Sequence, residues 1–397
     1  MVADFKEEPG PMNNHIRSLF AIILLIASGC ASAPQVKPEP VFYPEPPALP
    51  RVQFLTSFTS SKDIEPDRSS FERFVTGAKE FVRRLDKPYG VAIHDGRIYV
   101  CDTNSGVMVF DLNKKTFNPL PGAQGRGRLV QPINISIDRE GNKYVSDPVR
   151  RQVLRYDKND FFVRAYGDAG DWKPVDAVAY GDTLYVADSK NAEVKAFDLA
   201  SGALLRSLGR QGEQKDWLVM PTNLAFDSQG YLYVSDTGRF QIVKLDRDGN
   251  QRGVIGQLGN QLGSFARPRG IALDREDRVF AVDAAFDNVQ MFTGDGQLLF
   301  FFGKAGKKPG DLYLPAKVSV DYQNIEYFQR YADPAFEIEA IVLVTNQFGG
   351  SMVNVYALGR EKGRKYPTEE EIRELLEENR KKLKQEAEKK DAAEKKQ

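Results

Sequence analysis

Between residues 88 and 358 the apolar positions fall in short runs that recur at a nearly constant interval. Each cycle opens at a proline: Pro88-Tyr-Gly-Val-Ala-Ile, Pro132-Ile-Asn-Ile-Ser-Ile, Pro174-Val-Asp-Ala-Val-Ala, Pro221-Thr-Asn-Leu-Ala-Phe, Pro268-Arg-Gly-Ile-Ala-Leu and Pro315-Ala-Lys-Val-Ser-Val. These six prolines lie 44, 42, 47, 47 and 47 residues apart. After the first run comes a turn, such as Asp138-Arg-Glu-Gly141 or Asp227-Ser-Gln-Gly230, and then a second run ending in an acid. That acid is Asp102, Asp147, Asp188, Asp236 or Asp283. A third run (Val194-Lys-Ala-Phe-Asp198) and a fourth (Leu204-Leu-Arg-Ser-Leu-Gly209) complete the unit. Runs of four to seven residues, rich in β-branched and aromatic side chains and bounded by Gly and Asp turns, predict a four-stranded antiparallel meander. Such a sheet cannot bury both of its faces alone, whereas several stacked radially can, leaving only short edges. The predicted fold is all-β, a six-bladed β-propeller of four-stranded antiparallel blades.

The sequence of proline, Gly or Asn, apolar run, Asp-x-x-Gly and Leu-Tyr-Val-Ala/Ser-Asp resembles the NHL repeat, over residues 51–359. The sixth copy departs from the pattern. An insertion at 322–337 follows Val318-Ser-Val-Asp321, the second run resumes at Ala340, Asn346 replaces the usual Asp, and no fourth run follows Met352-Val-Asn-Val-Tyr356. Val52-Gln-Phe-Leu-Thr-Ser-Phe58 matches the outer strands and has no blade of its own, so it is expected to close blade six.

Upstream, Arg17 precedes the apolar stretch Leu19–Ala27, which is short for a bilayer span but suits a signal-peptide core. Ile26-Ala27-Ser28-Gly29-Cys30 resembles a bacterial lipobox. The resemblance implies that residues 1–29 are a lipoprotein signal peptide, with Met12 a better start than Met1, and that Cys30 is the lipidation site. Acyl chains there would anchor the protein to a membrane. Ala31, rather than Asp, implies outer-membrane sorting, on the periplasmic face or the cell surface. Residues 30–50 then read as a lipidated Pro-rich linker.

Residues 59–86 carry Phe71, Phe74, Val75, Phe81 and Val82, and fit a short helix or an extra strand equally. The tail, 360–397, opens with Thr368 and Glu371 at capping-box spacing. Ile372, Leu375, Leu376 and Leu383 give it one narrow apolar stripe, and a charged helical or disordered tail is expected, a frayed solvated helix weighed against a docking helix or coiled-coil seam.

Charge balances at 55 Lys+Arg against 55 Asp+Glu, so no net field draws the chain to nucleic acid, and none is expected as a partner. Two Cys and two His exclude a disulfide framework and any zinc site built from several of these residues. Histidine-dependent lyase and lactonase mechanisms, which the fold resemblance brings to mind, lack their parts, because only His94 follows the signal segment. His94 reads as a turn residue and Cys101 as a small core residue. The five recurrent Asp read as turn-forming carboxylates, because a catalytic group has no reason to recur in every blade.

Two sites remain. Two residues after each repeat proline stand Gly90, Asn134, Asp176, Asn223, Gly270 and Lys317, expected to ring one mouth of the central channel. Asn134, Asp176 and Asn223 are the candidate ligands for Ca²⁺ or another divalent cation, opposed by Lys317. The loops between second and third strands open on the same face and carry Arg150, Arg151, Lys190, Arg239, Phe240, Phe286 and Phe348, residue types that make interface anchors. The reading that follows is a non-catalytic, lipid-anchored binding or scaffold protein of the cell envelope, without a cofactor, whose top-face loops hold protein or polymer partners. Its rival is a metal-dependent hydrolase or lactonase at the channel mouth.

Overall fold

In the computed structural model, residues 39–66, 82–168 and 170–368 are described, together with single positions of a helix between Glu371 and Lys381. Cys30, Phe71, Phe74, Val75, Phe81, Leu376 and Leu383 lie outside the described residues.

Six antiparallel sheets form a propeller. Blade three shows the unit: Pro174–Tyr180, Thr183–Asp188, Glu193–Asp198 and Leu204–Leu208 pair in chain order. Side chains on successive residues of a strand point to opposite faces, so each blade feeds two different gaps. In blade one, Ile98 and Val100 pack toward blade six, whereas Tyr99 and Cys101 pack toward blade two. The outcome is six hydrophobic clusters, one in each gap between neighbouring blades. First strands of adjacent blades touch all round the channel.

Blade six is assembled from both ends of the domain. Val52–Phe58 runs antiparallel to Val353–Glu361, with Phe58 opposite Val353 and Val52 opposite Leu358. The second strand begins at Phe336, four residues before the expected Ala340, because it stays paired with the third strand out to Phe336–Glu361. The insertion before it holds a short helix, Ile325–Phe328, whose Phe328 is buried against blades six and one. Part of the Pro-rich linker is also strand: Val41–Tyr43 pairs with Val52–Phe54 as a fifth strand. Val-Phe-Tyr suits an extended, half-buried edge, and the flanking Pro40 and Pro44 stop it from growing.

The tail begins as its sequence implies. Thr368 donates its amide to Glu371 Oε2 at 2.7 Å and Thr368 Oγ1 accepts from the Glu371 amide at 3.1 Å, a reciprocal capping box.

Candidate functional site

The acids that end each second strand are clamps. Asp236 accepts from the Val219 and Met220 amides, both at 2.8 Å, and from Gly238 at 3.1 Å. Asp102 does the same with Asp86, Lys87, Asn104 and Ser105, and Asp283 with Ala266, Arg267 and Ala285. Each carboxylate thus ties its own loop to the connection that enters its blade, and all are buried. Asn346 fills the role in blade six, accepting from the Tyr313 amide at 3.1 Å and donating Nδ2 to the Ser351 carbonyl. These groups are occupied by backbone amides.

The residues two after each proline do converge at the channel. Gly90 and Gly270 mark where first strands of neighbouring blades come closest: a Cβ there would lie 2.6 Å from Asn134 Cα or 2.5 Å from Lys317 Cα. Asp176 in blade three and Lys317 in the opposite blade six meet across the channel, Nζ to Oδ2 at 3.0 Å, with both side chains buried. Asp176 also accepts from the Leu224 amide (3.0 Å), Asn223 Nδ2 (3.3 Å) and the Ala177 amide (3.0 Å). Asn134 Nδ2 donates to the Val175 carbonyl at 3.1 Å.

This geometry does not fit a divalent cation. The ammonium of Lys317 sits against the one carboxylate that a cation would need, and a second positive charge there would be repelled. Elsewhere among the described residues, no three His, Cys, Asp or Glu side chains gather in a way that could hold a metal.

One residue nearer the mouth is a second pair. The Arg269 guanidinium lies over the Tyr89 ring, 5.4 Å from its centroid, reaching past blade six from blade five to blade one. Arg269 Nη1 is buried with no hydrogen-bond partner. Burial lowers the pKa of this guanidinium. Burial likewise pushes the Tyr89 phenol up, against the pull of Arg269 and with the added push of Asp176. Neither residue stands out in the sequence except by comparison of the position after each proline, where the other four copies carry Ile133, Val175, Thr222 and Ala316.

The loop side chains expected to bind partners divide. Arg150 folds back: Nε donates to Gln152 Oε1 at 2.7 Å, Nη2 to the Arg126 carbonyl at 2.9 Å and Nη1 to the Arg128 carbonyl. Arg239 donates to the Asp216 carbonyl at 3.0 Å and to Gln251 Oε1 at 3.1 Å. Lys190 pairs with Asp171, and Arg151 donates to the Gly170 carbonyl at 3.3 Å. All four tie loops to the connections between blades. Phe240 and Phe286 are half-buried. Phe348 is exposed, tilted against exposed Tyr313 at 6.1 Å, with Lys87 Nζ 5.9 Å from its ring.

The face also presents apolar side chains to solvent among its polar ones. Val149, Val219, Met220, Leu258, Tyr313 and Phe348 are all exposed on loops that open there. Lys87, Lys173 and Arg267, each just before a repeat proline, supply positive charge around the mouth. Cys101 is fully buried in the gap between blades one and two, and burial pushes its thiol pKa well up.

No family model and no curated protein sequence matches the chain. Solved structures do. A protein of unknown function from Bacteroides thetaiotaomicron VPI-5482 has a TM-score of 0.53 at 14% identity, covering 77% of this chain and 75% of its own. An auxiliary nutrient binding protein from the same organism has a TM-score of 0.52 at 12% identity, covering 69% and 70%. A gluconolactonase from Xanthomonas campestris has a TM-score of 0.49 at 17% identity, covering 69% and 86%. At these identities the likeness is one of fold, the six-bladed propeller.

Proposed function

We propose that the protein is a non-catalytic, lipid-anchored binding scaffold of the cell envelope, of the NHL type, that holds a protein partner on the face where the first strands begin. The observation that carries this reading is the ion pair across the channel. Lys317 and Asp176 join opposite blades there, on a face that also carries exposed apolar side chains. Exposed apolar side chains set among charged ones on rigid loops are the material of protein contacts. The half-buried Arg269 at the mouth has no carboxylate partner among the described residues, and a partner acid would supply one. The auxiliary nutrient binding protein with the same architecture supports a binding role for such a propeller. A metal-dependent hydrolase or lactonase built on Asn134, Asp176 and Asn223 would need the carboxylate that Lys317 already pairs with.

The anchor is tested by Cys30→Ala, which should release the protein from membranes; unchanged membrane fractionation refutes lipidation. The face is tested by photo-crosslinkers at Val219 and Phe348, compared with Arg139 and Gln229 on turns at the opposite end. Defined adducts should form only from the first pair and weaken with Arg269→Gln. Equal labelling from both ends, or stoichiometric Ca²⁺ binding accompanied by lactone hydrolysis, overturns the proposal.

A further inference from the structure

At the rim of blade six the chain shows what can occupy an outer edge. Tyr43, on the fifth strand, enters the gap between blades five and six. Its ring lies 6.3 Å from both Phe302 and Tyr356, and its hydroxyl donates to the Gly310 carbonyl at 2.9 Å.

The equivalent gap between blades two and three holds Trp172, packed on Phe197 at 5.8 Å, and among the described residues no fifth strand covers its outer edge. Val194 pairs with Leu208 as Val353 pairs with Phe58, so Phe197 corresponds to Tyr356; Tyr166, before Gly167, corresponds to Phe302, before Gly303. Here a cleft of about 820 Å³ runs between the outer strands Phe162–Tyr166 and Leu204–Leu208. Phe162, Trp172 and Phe197 make its apolar wall. Arg126, Arg150 and Arg164 line it, and none of the three forms an ion pair among the described residues. Lys195 is different, being paired with Asp188 at 3.2 Å and Glu193 at 3.6 Å. Of the two acids present, Asp171 is bound to Lys190, leaving Asp168 against three guanidinium groups. Among the described residues no strand lies beyond Leu204–Leu208, and Leu204 and Leu205 are exposed.

We propose that this cleft takes an extended acidic peptide segment of a protein partner, paired as a fifth strand on Leu204–Leu208. One aromatic side chain lies along the wall of Phe162, Trp172 and Phe197, and carboxylates face Arg126 and Arg164. An edge strand offers a row of main-chain donors and acceptors that a peptide can match, and the guanidinium groups select for acid. A polysaccharide could meet the charge but not the ladder. The site is on the side of the propeller, along the outer strands, and meets the top face only at Arg150 and at residues 168 and 170–172 of the connection between blades two and three.

The test is fluorescence anisotropy with the full chain in detergent. The probe is a labelled ten-residue peptide alternating Glu with Val, Phe and Tyr. It should bind with salt-sensitive affinity, and the Lys-for-Glu counterpart should not bind. Arg126→Glu with Arg164→Glu should weaken binding at least tenfold, and Arg269→Gln should leave it unchanged. N-methylation of alternate peptide amides, tested on the parent protein, should also cost at least tenfold. No peptide binding at millimolar concentration, equal binding of the Lys or N-methylated peptide, or preferential capture of an oligogalacturonate, overturns the proposal.

Discussion

Lys317→Met is the sharpest probe of the ion pair across the channel. Methionine keeps the apolar stem and removes the ammonium, leaving the buried Asp176 carboxylate without its counter-charge. Breaking one side of a buried pair costs about 3–5 kcal/mol. Asp176 retains three N–H donors, from Leu224, Asn223 and Ala177, which places the expectation at the lower end. With an unfolding entropy of roughly 2 cal/mol/K per residue, a loss of about 3 kcal/mol lowers the Tm of a domain this size by about 4–5 °C. Asp176→Asn alone should cost a similar amount, because it strands Lys317. The double substitution removes both charges while an amide oxygen still accepts from Leu224, so it should return to within about 1 kcal/mol of the parent. Urea and thermal unfolding of the four proteins give the coupling directly. A Tm for Lys317→Met within about 1 °C of the parent, or strict additivity in the double variant, would refute the reasoning. Millimolar Ca²⁺ should leave the parent Tm unmoved; a rise would show that the mouth accepts a cation after all.

Asp236→Ala leaves several part-buried amides without their acceptor and should destabilise by about 1–2 kcal/mol, whereas Asp236→Asn should cost much less, since Asn346 performs the same clamp in blade six; chemical denaturation separates the two. A protein beginning at residue 60 loses Val52–Phe58, opens the ring at blade six and should unfold over a broad, non-cooperative transition; a single sharp transition near the parent Tm would contradict the closure. For Asp188, burial raises the pKa, but the Lys173 and Asn191 amides, the Asn191 side chain and Lys195 outweigh it and hold the folded value below the ordinary 3.8. Asp246 is likewise lowered, to about 2, burial being outweighed by Asn250 and Arg252. Both contributions are complete above about pH 5 and are lost as pH falls through 3.8 toward the folded values, so the urea midpoint should drop across that range, less steeply in Asp188→Asn.

The blades were legible in the sequence because their determinants are local. Period-two alternation, a turn every few residues and a proline at each first strand are written within each cycle, and their repetition makes radial stacking the economical way to bury both faces. The structural role of the recurrent Asp was legible too, although only half of its partners: Asn104 and Ser105 follow Asp102 directly, whereas the Asp86 and Lys87 amides reach it from an earlier connection. Repeat position also brought Asp176 and Lys317 to one ring, but as opposed features of it. That they touch required the ring to close, because first strands 141 residues apart face each other only across the finished channel. Arg150 and Arg239 show a different limit. A long side chain on a loop tip has many destinations, and the carbonyls that captured these two belong to neighbouring connections placed by packing alone. For the same reason Val41–Tyr43 read as spacer. Its three residues gain a ladder only where blade six offers an unpaired edge, and that edge exists only once the chain ends have met.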